Sequence, residues 1–492
     1  MKKLPAVTAY TLKGKVLVVF LRGLLGILHF FMVRKWATPP PFFHDDPRHY
    51  TTRDLLFFAY KYYFKSPEKG EITGRDAMHR VSTAGSQISA EDFFLQNSPT
   101  FSTDFLGENE QIDRKITLTA AGDLMPYAWI QPQFCPYLWD DIGDDFFSSD
   151  IVFANLETPI VTSKPAALVP EVMLNDMHFN GDSDMFSIFN PIEKTPQYFI
   201  KKYNKKWGFD VLSTANNHSL DMGEEGIFDT IDFLKNKEIL HVGTAKSKEN
   251  RSEIPFIEQN GLKIAFVAYT FSMNQLTNPG GKEWLVNHLE INQRDVNLSI
   301  LMQDIARAKE ENADLVVLSL HYGNAYQAYP CNHIIENTKR IFDECGPDII
   351  LGGHPHNIQP MANYPFVCPH TGVEKRGFVI FSMGDFVAYD IFNWCHLPVY
   401  LKLEISQIST KNAADTEGSS KRTVLTKVEA IPVYTCGVYK SKENKELRFL
   451  DARKTLNLIG KGEKPPFMTA WNVRELTSLM EFYNVFFAKN ME

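Results

Sequence analysis

Short, almost continuously apolar runs alternate with helical patterns along residues 116 to 381, and this alternation constrains the fold more than any other feature. Patterns with helical periodicity lie between the runs, at 226–235, 296–310 and 337–345. Buried strands separated by helices predict an α/β domain whose strands are covered on both faces. The predicted strands are 116–121, 151–154, 211–213, 263–269, 315–320, 349–352 and 377–381.

The C-terminal part has a different texture. Alternating patterns at 399–405 and 423–433 predict antiparallel strands, and the polar stretch 409–422 between them predicts a flexible loop. The tail from residue 456 is predicted to be mostly loop before a final amphipathic helix over 474–488. We therefore expect an N-terminal region at 1–112, a main domain at 113–436 and a C-terminal tail at 437–492.

Composition excludes several classes of protein. The 492 residues carry a net charge of −8 and no nucleic-acid-binding motif, so we expect no nucleic-acid partner. The six cysteines are scattered without a C-x-x-C pair, which excludes a small disulfide scaffold. The oligomeric state is not indicated by any pattern in the chain.

An apolar segment at 16–33 is about long enough to cross a bilayer. Arg22 and His29 lie inside it and make insertion costly. Three interpretations stay open: a membrane anchor, an interfacial amphipathic helix, and a helix buried on the main domain. The segment predicts membrane association in the first two cases and a cytoplasmic protein in the third.

Five predicted strands end in side chains that bind metals. Carboxylates, amides and imidazoles are donors for divalent cations such as Zn, Mn, Fe or Mg. Because ligands of α/β sheets collect at the carboxyl ends of strands, we expect these groups to converge. An extended H-x-H should also send both of its imidazoles to one side. The five groups are Gly122-Asp123, Asn155-Leu156-Glu157, Asn216-Asn217-His218, His321-Tyr322-Gly323 and Gly353-His354-Pro355-His356.

Each group alone has an ordinary structural explanation. An Asp after a strand is most often a helix cap or turn former, and a single His is more often a hydrogen-bonded polar group than a ligand. Five such groups, each at the end of a different strand, favour a functional site, because independent caps have no reason to share ligand chemistry.

The order G-D, A-N-L-E, A-N-N-H-x-x-D-x-G, H-x-G, G-x-H-P-H and S-x-G-D-F resembles CapA-type poly-γ-glutamate capsule synthesis proteins, whose domain is similar to calcineurin-like metallophosphoesterases. The resemblance covers about residues 116–433 and implies an α/β fold, a four-layer α/β/β/α sandwich with one or two divalent metals. It implies His218 as the acid that protonates a leaving group, and Asp221 with Gly223 as a loop-shaping pair. The metal ligands it implies are Asp123, Glu157, Asn217, His321, His354 and His356.

Three positions depart from these families. Met125 stands where metallophosphoesterases carry a histidine, and Ala325 stands where the family often has a glutamate. Asp385 replaces an asparagine of the last motif, and it either adds a carboxylate to the site or caps a turn. Two functions therefore stay open: a metal-dependent hydrolase of phosphoesters or amides, and a non-catalytic component that binds an anionic polymer such as poly-γ-glutamate.

Overall fold

The structure is a computed structural model, and it describes residues 93–94, 96–98, 106, 110–169, 178–274, 276–325, 329–390, 393–410, 421–439 and 444–487. The apolar segment 16–33 and most of the predicted loop 409–422 lie outside the described residues, so these predictions stay as they were stated. Within the described part of the chain, no helix has both the length and the apolar character needed to span a membrane.

The described strands form two sheets. The strands are β1 Glu110–Leu124, β2 Ile151–Leu156, β3 Val211–Ser213, β4 Leu240–Val242, β5 Phe256–Gln259, β6 Leu262–Thr270, β7 Leu315–His321, β8 Ile349–Gly353, β9 Ile358–Val367, β10 Glu374–Met383, β11 Asp385–Val387, β12 Val399–Thr410, β13 Lys421–Tyr439 and β14 Lys445–Asp451. Sheet I has the order β14-β13-β12-β1-β2-β3-β4, with β11 also paired to β1, and sheet II has the order β5-β6-β7-β8-β10-β9.

Helices connect the parallel strands, and several begin at side-chain caps. Asp182 accepts a hydrogen bond from the Met185 amide at 2.9 Å, and Asp451 caps a later helix in the same way. The helices are α1 Gly143–Phe146, α2 Ser183–Phe189, α3 Gln197–Tyr203, α4 Gly223–Asn236, α5 Lys248–Ser252, α6 Ser299–Glu310, α7 Asn332–Arg340, α8 Ala452–Gly460 and α9 Ala470–Phe487. A π-turn at Ile341–Cys345 continues α7, and single 3₁₀ turns lie at Ile192–Lys194 and Asn393–His396.

The two sheets pack face to face, with helices outside both. The rings of Phe153 and Phe266 stack at 6.2 Å across the space between the sheets. The preceding residue of β2, Val152, belongs to a second core on the outer face of sheet I, as expected for alternating strand side chains. Helices α6 and α7 cover the outer face of sheet II through a third core. The predicted four-layer α/β/β/α sandwich is confirmed.

The C-terminal residues join the main sheets. The predicted domain boundary after residue 436 falls inside β13, and β14 extends sheet I by one further strand. The prediction of loop at the start of the tail is wrong, because 452–460 is the helix α8. Leu476 and Leu479 of α9 are fully buried in the core between the sheets, so the final helix closes this end of the sandwich.

Asp348 ties the start of β8 to its neighbours. Its carboxylate accepts hydrogen bonds from Lys309 at 2.9 Å, from Lys375 at 2.7 Å and from the Val316 amide at 2.8 Å. Burial alone raises the pKa of a carboxyl, but the two ammonium groups outweigh it and hold the pKa of Asp348 below its ordinary value. This ion pair therefore stabilises the end of the sandwich opposite the strand ends that carry the predicted site.

Candidate metal centre

The carboxyl ends of β1, β2 and β3 from sheet I meet those of β7 and β8 from sheet II. Register pairs Asp123 with Asn155 in one sheet and His321 with Gly353 in the other. Since parallel strands end at a common edge, donors that follow them are brought together. We call the resulting group the donor cluster, and each of its members is at most 8% exposed: Asp123, Glu157, Asn217, His321, His354 and His356.

His321 lies at the centre of the donor cluster. Its Nε2 is 2.9 Å from Asn217 Oδ1, 3.2 Å from His354 Nδ1 and 3.5 Å from Glu157 Oε1. Its Nδ1 is 4.0 Å from Asp123 Oδ1. Side chains from both sheets thus converge around one imidazole.

Two overlapping triads have the arrangement of metal ligands. Glu157, His321 and His354 form one, and Asp123, Glu157 and His356 form the other. Within each triad, one donor atom per residue lies within 4.8 Å of the others. Glu157 belongs to both triads, which is the position of a ligand that could bridge two ions.

The surroundings of the Glu157 carboxylate indicate whether the donor cluster is suited to bind a cation. The residue is fully buried, and neither of its oxygens accepts a hydrogen bond. A buried carboxylate without donors is expensive unless a cation compensates it. Hard oxygen and imidazole donors are those that divalent ions prefer, so the residues fit a divalent metal.

The electrostatics of the cluster reflect burial and crowding. Burial, and then the neighbouring Glu157 carboxylate, raise the pKa of Asp123 from 3.8 to about 6. Burial also lowers the pKa of His321 to about 3, which keeps this imidazole neutral and able to bind a metal.

Glycines allow the strands to approach this closely. A Cβ on Gly353 would lie 2.7 Å from Asp123 Oδ1, and a Cβ on Gly122 would lie 1.9 Å from the carbonyl oxygen of Gly384. Both contacts are shorter than any side chain tolerates, so only glycine lets the backbone pass next to the donors.

The extended conformation expected for H-x-H is wrong. His354 has φ of 93° and His356 has φ of 63°, and β8 has already ended at Gly353. Contacts with residues of other strands hold these unfavourable conformations. The His354 amide donates to Asp123 Oδ2 at 3.0 Å, and the His356 carbonyl accepts from the Asp385 amide at 3.0 Å. Both imidazoles reach the donor cluster by this sharply turned path.

Asp385 lies against the cluster rather than at a turn cap. Its Oδ1 is 2.8 Å from His356 Nδ1, and it is the first residue of β11, which pairs with β1. Burial opposes an imidazolium, but the Asp385 carboxylate outweighs it and raises the pKa of His356 well above its ordinary value. A metal bound at the other ring nitrogen would take the place of the second proton, while the Asp385 carboxylate keeps the ring in this orientation.

The supporting asparagines form a second layer. Asn155 Nδ2 donates to Asp123 Oδ1 at 2.8 Å and lies 3.3 Å from His321 Nδ1. Asn216 Nδ2 donates to Asn155 Oδ1 at 3.2 Å and to the Leu156 carbonyl at 2.8 Å. These bonds link the ends of β1, β2 and β3, and they orient the donors without themselves joining either triad.

His218 stands apart from both triads and is held from two sides. Its Nδ1 is 2.7 Å from Asp221 Oδ2, and the same oxygen accepts the Phe179 amide at 2.6 Å. The Phe179 ring stacks on the imidazole at 3.7 Å between centroids. Gly223, with φ of 72°, makes the turn into α4 immediately after this loop. Sequence reasoning missed Phe179, because it follows no motif and meets His218 only in the fold.

Met125 and Ala325, the two apolar residues that depart from the family motifs, have different surroundings. Met125 is 2% exposed and packs in the core outside sheet I, not against the donors. Ala325 is 8% exposed and offers no donor atom. These two positions therefore contribute no donor to the site.

The model of the family "Bacterial capsule synthesis protein PGA_cap" matches residues 117–390, which is more than half of the chain and contains all the strand ends described above. The chain belongs to this family. Two curated relatives carry 28% identity. They are "Capsule biosynthesis protein CapA" of Bacillus anthracis, matched over 57% of this chain and 60% of that protein, and "PGA biosynthesis protein CapA" of Bacillus subtilis, matched over 49% and 54%.

The chain thus spans 60% or less of the length of these two PGA_cap relatives. Among solved structures, the calcineurin-like phosphoesterase YfkN from Bacillus subtilis is similar at 10% identity, with a TM-score of 0.32. That similarity covers 77% of this chain and 99% of the other.

Proposed function

We propose that this PGA_cap protein is a divalent-metal-dependent hydrolase that acts on a phosphoester or amide bond of an anionic substrate. The observation that carries the proposal is the fully buried Glu157 carboxylate, which follows β2 of sheet I, accepts no hydrogen bond and lies within reach of imidazoles that end β7 and follow β8 of sheet II. A protein that used this cluster only for packing would have to bury that charge without compensation.

The donor cluster would hold one or two ions, with Glu157 shared between the triads. A bound divalent ion supplies Lewis acidity, which polarises a phosphoryl or carbonyl oxygen and makes water more acidic. Asn155 and Asp385 keep the donors in place through their bonds to Asp123 and His356.

His218 is proposed to protonate the leaving group. Because its Nδ1 is engaged with Asp221, Nε2 is the nitrogen that can give up a proton. The Asp221 carboxylate and the Phe179 ring hold the imidazole in one orientation, which a general acid requires.

The family and the names of its relatives suggest the substrate class. The two curated relatives are named for capsule and PGA biosynthesis, so poly-γ-glutamate or another anionic capsule polymer is proposed as substrate here. Association with a membrane through residues 16–33 is part of the same proposal, because that segment is apolar and about long enough to cross a bilayer.

One observation favours a second function, binding without hydrolysis. Met125 packs in a core and Ala325 carries no donor, so the histidine that metallophosphoesterases carry and the glutamate that the CapA-type family often has are both missing. In this alternative the same metal cluster holds an anionic polymer as part of a synthesis or export assembly.

Metal analysis followed by a substrate screen tests the proposal. We expect purified protein to contain a divalent metal that is lost in His321→Ala and His354→Ala but kept in His370→Ala, whose imidazole bonds to the Cys345 carbonyl. Equal metal contents in all three variants would rule out the site. Phosphoesters and γ-glutamyl peptides, each tested with and without chelator, then distinguish hydrolysis from binding alone.

His218→Asn tests the role of the acid. We expect this variant to keep its metal and lose about 10²- to 10⁴-fold in turnover, the usual contribution of a positioned acid. Substrates with good leaving groups should lose less, since they need less protonation. Full activity on poor leaving groups would refute the acid role, and metal-dependent polymer binding without turnover in the native protein would support the alternative function.

A further inference from the structure

Asn274 makes two reciprocal hydrogen bonds with Asn217. Its Nδ2 donates to the Asn217 backbone carbonyl at 3.0 Å, and its Oδ1 accepts from Asn217 Nδ2 at 3.2 Å. Asn274 follows β6 of sheet II, whereas Asn217 follows β3 of sheet I. The pair therefore joins the two sheets beside the donor cluster.

These bonds determine which way the Asn217 amide faces. A backbone carbonyl can only accept, so the atom of Asn274 that contacts it must be Nδ2. Asn274 Oδ1 is then the atom turned toward the Asn217 side chain, where it can only accept from Nδ2. Asn217 Oδ1 consequently faces His321 Nε2, at 2.9 Å.

The orientation matters because only one end of an amide binds a metal. The oxygen offers lone pairs to a cation, whereas the NH₂ group is a donor and has none to offer. A free asparagine side chain could present either end. The two hydrogen bonds between Asn217 and Asn274 hold the Asn217 amide in one orientation.

The backbone at Asn274 favours this arrangement. Its φ of 55° is left-handed, a conformation that asparagine adopts more readily than most residues. Asn274 is half-buried, and the neighbouring Met273 is buried in a small core with Leu220 and Ile227 beside α4. The residue is therefore held in place from its own segment as well as by Asn217.

We propose that Asn274 is a positioning residue that keeps the Asn217 amide oxygen directed at the metal in this site. The proposal rests on the proposed function, since it requires Asn217 to be a ligand. Asn274 itself belongs to neither triad, and no sequence motif includes it.

Titration of metal-free protein with Zn²⁺ or Mn²⁺, followed by calorimetry, tests the proposal. Asn274→Gly removes both bonds and keeps a residue that tolerates the left-handed backbone. We expect its metal dissociation constant to rise about 10- to 100-fold, the usual effect of losing an outer-shell partner. Asn312→Gly is the matched control, because Asn312 is also left-handed, with φ of 65°, but is exposed at the end of α6; its affinity should equal that of the native protein.

A second comparison separates orientation from general loosening. In an Asn217→Asp background both ends of the side chain are oxygens, so orientation no longer matters and Asn274→Gly should not weaken metal binding further. Similar losses in both backgrounds would overturn the proposal, as would native affinity in Asn274→Gly alone. Absence of metal binding by the native protein would instead refute the proposed function, and this inference with it.

Discussion

Replacing Glu157 by glutamine should change two properties in opposite directions. In the metal-free protein the Glu157 carboxylate is fully buried, lacks donors and raises the pKa of Asp123. Glu157→Gln removes that buried charge and the repulsion it causes. In the metal-loaded protein the same change removes a ligand common to both triads.

The size of the first effect follows from burial. An unsatisfied buried polar group costs about 1–3 kcal/mol, and more when charged. Glutamine leaves a buried polar group in place and removes only the charge, so the free energy of unfolding of metal-free Glu157→Gln should exceed that of the native protein by the extra cost of the charge, on the order of 1 kcal/mol. In a protein of this size, each kcal/mol of added stability raises the unfolding temperature by no more than about 2–4 °C. The unfolding temperature should therefore rise by a few degrees.

The size of the second effect follows from the role of the ligand. Loss of an outer-shell partner alone costs about 10- to 100-fold in metal affinity, so loss of Glu157 should cost more than about 100-fold. Thermal unfolding with chelator gives the first quantity and metal titration gives the second. Glu258→Gln is the control, because Glu258 is exposed on β5, and it should change neither.

Two patterns of results would contradict the proposed role of Glu157. If metal-free Glu157→Gln unfolds at a lower temperature than Glu258→Gln while metal affinity is unchanged, the carboxylate serves the fold and not a cation. A loss of both stability and affinity would show that Glu157 is satisfied in the metal-free protein by groups other than a metal.

Three other predictions concern separate parts of the chain. Gly353→Ala should weaken metal binding at least tenfold, because its Cβ would meet Asp123 Oδ1 at 2.7 Å, whereas Gly460→Ala, with open space around it, should not; metal titration compares them. The pKa of Asp348 is depressed in the folded protein, so its stabilising contribution is complete above pH 3.8 and is lost as the pH falls through the lowered value. Acid unfolding should therefore be less steep in Asp348→Asn, and an unchanged profile would contradict this. The full chain should sediment with lipid vesicles and a chain lacking its first 40 residues should not, if residues 16–33 associate with membranes.

The sequence by itself determined the α/β class and the approximate position of most strands. The reason is local: short, β-branched apolar runs such as 315–320 are too short for helices and favour buried strands, and the structure has β7 at Leu315–His321. It also indicated which strand ends carry donors, because parallel strands direct their carboxyl ends to one edge. Residue types and their order along the chain were enough to predict the fold class, the strands and the strand ends that carry donors.

Tertiary structure decided how the donors face one another. The left-handed backbones of His354 and His356 depend on contacts with Asp123 and Asp385, which come from other strands. The same contacts decided that Asp385 lies in the site. No local pattern predicts them, because each joins residues far apart in the chain.

The same reason explains the residues that sequence reasoning missed. Phe179 reaches His218, and Asn274 reaches Asn217, only because sheet I, sheet II and their connecting loops pack together in this arrangement. Likewise, Met125 directly follows β1 and packs in the core outside sheet I together with Leu124, a placement that strand alternation does not predict and that the packing around the end of β1 determines. Residue types and their spacing specify which donors the chain brings to the site, but the packing of one sheet on the other determines their orientation.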